Sequence, residues 1–227
     1  MSHGKLGIDM LFLILLFNIA MATTRIAVLD TGVDLTKANV PLCPTGHKDF
    51  TIDNNPLIDK LTHGSNIVDV IYQNSNKDIC FIIVKFCTAL DCKDETKYQK
   101  ALSYISTLPN IKLLNLSISG EGYDGIETFF IKRILDNGVS IVAAAGNKSS
   151  ILSYSKKQCN FYPACSDKRI WVIGNKHSSS NYGNLNDGID LALDGVEVLG
   201  AGIRLTGTSQ AAAIFSGKLS KENNTCY

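Results

Sequence analysis

Apolar runs of strand length alternate with stretches of helical period along most of this chain, and short polar motifs stand where one gives way to the other. Arg25–Leu29, Phe81–Phe86, Ile111–Ser117, Val139–Ala143, Ile170–Ile173 and Ile189–Leu193 read as strands. Ser65–Tyr72, Thr96–Leu108, Ile126–Asn137 and Ser209–Leu219 read as helices, with Thr96 as a candidate N-cap and Gly138 as a C-terminal stop. In the second helix Ala101, Leu102 and Ile105 are expected to face inward, and in the third Ile126, Phe130 and Ile134 form one stripe. This alternation predicts a three-layer α/β fold, a mostly parallel central sheet with helices on both faces. Such sheets build sites beyond the carboxyl ends of their strands. Asp30 directly follows one apolar run, Asn147 follows another, and Ser209 opens a helical stretch, so three polar groups fall where this architecture places chemistry.

The chain has 227 residues, 45% of them hydrophobic, enough for one sizeable core. A net charge of +1 gives no reason to expect nucleic acid or an acidic membrane as partner. Met1–Asp9 is polar, Met10–Ile19 is apolar apart from Asn18, and Ala20-Met21-Ala22 offers small residues for cleavage. Residues 1–22 therefore read as a secretory signal peptide and 23–227 as the mature domain, exported from the cytoplasm and off the membrane once the signal is removed. An uncleaved anchor is the alternative, though the apolar run is short against the ~20 residues a span needs. Seven cysteines in an exported chain favour disulfides and leave at least one unpaired in a monomer. Cys87/Cys92 and Cys159/Cys165 flank short loops and suit local bridges, whereas Cys80 opens an apolar run and reads as a buried small hydrophobe. No cysteine spacing matches a zinc site.

Four motifs carry candidate chemistry: Asp30-Thr31-Gly32, His63-Gly64-Ser65, Ala144-Ala145-Gly146-Asn147 and Gly207-Thr208-Ser209. A carboxylate that ends a buried strand is costly unless paired; Asp30 can orient a histidine or simply cap a turn. His63 is a candidate general base or a helix-start cap, and the glycine after it makes room for close backbone approach. His47 and His177 lie in polar stretches without helical context. The Asn147 amide can donate to a developing oxyanion, or it can be a turn asparagine within the glycosylation sequon Asn147-Lys148-Ser149. Ser209 is a candidate nucleophile at a helix N-terminus, or an ordinary N-cap. Asp-Thr-Gly also marks aspartic proteases, but only one copy occurs, so that chemistry requires a symmetric dimer.

The order acid, base, amide donor and hydroxyl, ending on Ser209, is the subtilisin order and differs from that of the other serine hydrolase folds. From about Arg25 to Ala213 the chain resembles the subtilisin-like serine protease family. The resemblance implies that Asp30, His63 and Ser209 form a catalytic triad acting through an acyl-enzyme on a polypeptide substrate, with Asn147 in the oxyanion hole. It further implies that Ser117, Ile118, Ser119 and Gly120 form one wall of the substrate site and Ala144, Ala145 and Gly146 the other. It implies no cofactor; structural calcium is common in the family, but no ligand set for it can be traced here. The chain departs from the family pattern at Gln210 and Ala213, where Met and Pro are usual, at Ser119 for Gly, and at Asp194 for Pro. Only Thr23–Leu29 separates the signal from Asp30, so a folding helper or a pro-segment in trans is a further expected partner. The competing expectation is a catalytically impaired member of the family that serves as a binding or regulatory module.

Overall fold

The run Ile79–Lys85 is apolar at six successive positions, as a strand covered on both faces requires. It forms the strand β3 and is buried throughout. The computed structural model describes residues 23–88, 92–154, 159–176, 179–182 and 187–222; the expected signal peptide, His177 and Cys226 lie outside them. In chain order the first half contains β1 (Thr24–Asp30), β2 (Lys48–Asp49), α1 (His63–Asn74), β3 (Ile79–Lys85), α2 (Glu95–Ile105), β4 (Leu113–Leu116) and β5 (Gly120–Glu121). The second half contains α3 (Gly125–Asp136), β6 (Ser140–Ala144), β7 (Phe161–Tyr162), β8 (Trp171–Asn175), β9 (Leu191–Leu193), β10 (Val198–Gly200), β11 (Ile203–Leu205) and α4 (Thr208–Glu222).

Seven of these strands form one sheet in the order β2-β3-β1-β4-β6-β8-β9. Every pairing in it is parallel. Alternate side chains feed two cores. Ala27, Leu29, Ile82, Val84, Leu114 and Ile141 pack with Ala101, Leu102 and Ile105 of α2 and with Ile131 and Ile134 of α3. Ile26, Val28, Phe81, Ile83, Val142 and Ile173 pack with Ile67, Val68 and Ile71 of α1 and with Ala211, Ala212 and Ala213 of α4. The expected three-layer arrangement is thus present, with two helices on each face. The chain leaves β1 for β3 on one side and returns for β4 on the other, so the crevice at the carboxyl ends of β1 and β4 is open to a site.

Several local expectations change. Asp94, not Thr96, caps α2, because its carboxylate accepts from Lys97 N. On α3 the buried residues are Glu127, Thr128, Ile131 and Ile134, while Ile126 is exposed and Phe130 is only partly buried. On this face Ile131 and Ile134 enter the core, and Glu127 Oε1 accepts from Ser166 Oγ at 2.5 Å, where burial lifts its carboxyl above the usual carboxylate range. Cys80 is no free hydrophobe: it is bonded to Cys43, with the Cα atoms 4.9 Å apart. The two local bridges, Cys87–Cys92 and Cys159–Cys165, are present as expected. The two-residue strand β2 and the ribbons β5–β7 and β10–β11 have no apolar run to announce them.

Helices α1 and α4 cross closely, and a Cβ on Gly217 would come within 2.5 Å of Ile71 O. At the same junction Gln210, buried where the family usually has Met, donates its Nε2 to Asn66 Oδ1 at 3.1 Å, while Asn66 Nδ2 donates to Gly200 O at 3.0 Å. The departure at Gln210 is therefore matched by a buried partner. Replacing Gln210 by Leu strands that acceptor, and urea unfolding should show a loss of about 1–3 kcal/mol. Breaking Cys43–Cys80, which closes a 37-residue separation between the approach to β2 and β3, should cost about 2–5 kcal/mol by the same measurement on the Cys43→Ala/Cys80→Ala variant.

Candidate active site

Strand β1 ends on Asp30, and α1 begins on His63. Their meeting depends on two glycines. A Cβ on Gly64 would lie 2.2 Å from Gly32 O, and Gly32 itself has φ 107°, a backbone region that L side chains rarely adopt. With both glycines in place, His63 Nδ1 donates to Asp30 Oδ1 at 2.7 Å. Asp30 is 2% exposed and His63 is 30% exposed, so the pair is dry on the acid side and open on the base side. The second Asp30 oxygen, Oδ2, is buried without a partner, which leaves the carboxylate charge directed at the imidazole. Burial opposes charging of His63. The Asp30 charge, the bond to Asp30 and the more distant charge of Asp59 together outweigh it, and His63 titrates above the usual histidine value. Nε2 is left as the acceptor nitrogen, the tautomer a general base requires.

Asp59 carries no motif of its own, yet it organises this corner. Its Oδ1 accepts from Thr31 Oγ1 at 2.9 Å and from the N–H groups of Leu61 and Thr62 at 3.1 and 2.9 Å. Its Oδ2 accepts from Ser65 N and Ser65 Oγ at 2.8 and 2.6 Å. Thr31 Oγ1 in turn accepts from Gly64 N at 2.9 Å. A buried carboxylate here caps the unpaired N–H groups at the start of α1 and fixes the turn that delivers His63. The Thr62 N-cap has a left-handed backbone, φ 62°, and makes no side-chain cap of its own, so Asp59 takes over that role. The visible clue is an acid four positions before the histidine at a helix start.

Ser209 stands in the first turn of α4, half-buried, and its hydroxyl donates to Ser117 O at 3.0 Å. No bond joins it to His63. The loop after β6 is tied to this helix by Thr208: Gly146 N donates to Thr208 Oγ1 at 3.1 Å, and Thr208 N donates to Asn147 Oδ1 at 3.0 Å. Because only the oxygen of an amide can accept from that N–H, the Nδ2 end of Asn147 is the free one. Ser209 N–H lies in the same first turn, where a helix supplies no acceptor. A Cβ on Gly207 would come within 3.2 Å of Asn147 Nδ2, so this glycine makes space for the amide.

The two expected walls face each other. Ser117 is buried, Ile118 half-buried, and Ser119 and Gly120 exposed, while Ala144, Ala145 and Gly146 are buried. A Cβ on Gly146 would meet Ser119 Oγ at 3.3 Å and Phe161 Cδ1 at 3.2 Å, which places Ser119 opposite Gly146 with Phe161 beside them. Ile118 and Ser119 also line a cleft of about 490 Å³ shared with Asp30, Thr31, Leu61, His63 and Leu205. An adjoining cavity of about 460 Å³ runs past Gly120 and Glu121 to Tyr98 and Tyr162. His47 is excluded from this region: its ring nitrogens bond Cys43 O and Ile83 N. Among the described residues no group of three or more His, Cys, Asp or Glu is placed to hold a metal ion. The pair Asp49 and Asp53 is already served by a buried cation, with Lys85 Nζ 2.7 Å from Asp53 Oδ2 and 2.8 Å from Ile58 O.

In an NMR titration of the imidazole, His63 should titrate above the usual value of about 6.5. In Asp30→Asn the opposing charge is gone and burial dominates, so the midpoint should fall below that value. Any activity that needs neutral His63 should therefore decline as pH drops through the raised midpoint.

No family model matches the chain. The "Major intracellular serine protease" of Bacillus subtilis is 27% identical over 217 residues, covering 86% of this chain and 66% of that protein. The "Cell wall-associated protease" of the same organism is 28% identical over 223 residues, covering 88% of this chain and 24% of its own length. The chain thus spans just under two thirds of the first relative and about a quarter of the second. Among solved structures, a cold-adapted subtilisin-like serine proteinase matches with a TM-score of 0.69 at 20% identity, covering 88% of this chain and 76% of that one. A lanthipeptide protease matches with a TM-score of 0.66 at 17% identity, covering 86% and 71%. Those two likenesses carry the fold. In sequence the chain is thus similar to the two serine-type relatives, and in fold to the subtilisin-like proteinases.

Proposed function

We propose that residues 23–227 form an exported serine endopeptidase. The observation that carries the reading is the 2.7 Å contact between Asp30 and His63, in a site where Ser209 and Asn147 are tied together through Thr208. Ser209 Oγ leaves Ser117 O, passes its proton to His63 Nε2 and attacks the scissile carbonyl. Asp30 stabilises the imidazolium that forms. The oxyanion is met by Ser209 N–H and Asn147 Nδ2. His63 then returns the proton to the departing amine, leaving an acyl-enzyme, and activates the water that releases it. The polypeptide lies between Ser117–Gly120 and Ala144–Gly146. Three disulfides support export, with residues 1–22 as the signal.

One observation favours a second reading, a family member that binds without cutting: Ser209 Oγ is bonded to Ser117 O and not to His63. Active-site hydrogen bonds are often long or unmade until substrate arrives, so this geometry is compatible with catalysis. A fluorophosphonate probe should label the purified protein, with labelling abolished in Ser209→Ala. Asn147→Ala should slow turnover by about 10²–10³, the cost of one lost oxyanion donor. Folded protein that resists the probe, or Ser209→Ala that labels as well as the parent, would instead support the binding module.

A further inference from the structure

Asn147 is exposed. Its Oδ1 is held by Thr208 N, and the backbone on either side of it is held by a residue that no motif marks. Asn181 is 1% exposed although it belongs to no helix or strand. Its Nδ2 donates to Ala145 O at 2.7 Å, and its own N–H donates to Gly146 O at 2.8 Å. Its Oδ1 accepts from Lys148 N and Ser150 N, both at 3.0 Å. The four bonds bracket Asn147, two before it and two after. Gly146 has φ 97°, and a Cβ there would lie 2.5 Å from Asn181 Nδ2, so the seat fits a glycine and this amide together. Ser149 N to Ser179 O and Tyr182 N to Ser150 O extend the clamp, each at 3.0 Å.

We infer that Asn181 is the positioning residue of the oxyanion site, holding the 145–150 loop so that Asn147 Nδ2 stays where charge develops. The inference rests on the hydrolase reading above. Only a planar amide offers a donor to Ala145 O and an acceptor to two N–H groups in one side chain. Asp in its place turns an oxygen toward Ala145 O, and Ala leaves all three backbone groups without their side-chain partner. Thr208 holds the same loop from the helix side, so Asn147 is gripped from both directions. A displacement of about 1 Å at a catalytic group is enough to cost about 10² in rate.

The test is a double-mutant cycle of Asn181→Ala and Asn147→Ala in the full secreted chain, read by fluorophosphonate inactivation, with thermal unfolding as the check on folding. Asn181→Ala should lower kinact by about 10-fold or more with KI nearly unchanged, and should add nothing in the Asn147→Ala background. Equal losses in both backgrounds, a change confined to KI, or an unchanged kinact would overturn the assignment. A merely structural role would lower the thermal midpoint and the labelled fraction while leaving kinact of the folded fraction intact. Where Asn181→Ala does not fold, Asn181→Asp takes its place in the same cycle. A folded parent protein that does not react at all would overturn the hydrolase reading and the role of Asn181 with it, an outcome distinct from a reactive parent with additive variants.

Discussion

The site depends on how closely the end of β1 can approach the start of α1. Gly32 and Gly64 bring two backbones to a separation at which no side chain fits, and that approach sets Asp30 against His63. Any Cβ at Gly64 would strike the Gly32 carbonyl, push α1 away and leave Asp30 buried without its partner. An unpaired buried carboxylate is among the costlier defects a core can hold. Fold stability and site geometry are therefore coupled at this contact.

Buried charge recurs around it in compensated form. Asp59 spends both oxygens on the entry to α1, and Lys85, the register partner of Asp30 across β1 and β3, ties Asp53 and Ile58 O. Two positive charges, Lys60 and Lys85, hold the Asp53 carboxyl below the usual carboxylate range. The segment from Phe50 to Thr62 has no regular secondary structure, yet these bonds give it a single path from β2 to His63. Asp30 Oδ2 is the exception, a buried carboxylate oxygen with no donor, in the group whose other oxygen bonds the imidazole and whose charge raises its proton affinity.

Much of the architecture is legible in the residues. The apolar run at Phe81–Phe86, the helical spacing of Ile67, Val68 and Ile71, and the inward set Ala101, Leu102 and Ile105 all appear where their periodicity puts them. Burial on both faces makes a parallel strand continuously apolar, which is why these signals are strong. The short strands are silent because two or three residues paired at a sheet edge or in a two-stranded ribbon need no apolar pattern. The stripe on α3 is only partly right because Ile126 and Phe130 share its spacing, while the core takes Ile131 with Ile134 and the same face holds the Glu127–Ser166 bond. Cys80 misled for a related reason: a half-cystine in an apolar strand has the composition of a core residue, and its partner lies 37 positions away.

The sequence by itself determined the kind of site: an acid at a strand end, a histidine and a serine at helix starts, and an asparagine after a small-residue strand, in one order. Local composition suffices for this because strand ends and helix starts are specified by neighbouring residues. Only the tertiary structure decided how those groups are held. Thr208 and Asn181 act through hydrogen bonds to the backbone of distant segments, and Asp59 through bonds to the nearby turn and to the Thr31 hydroxyl; such bonds ask only for a polar group at the right point in space. Nothing in the residues beside Asn181 distinguishes it from a surface asparagine; its burial and its four bonds exist only once β6, the loop after it and the 179–182 segment have come together.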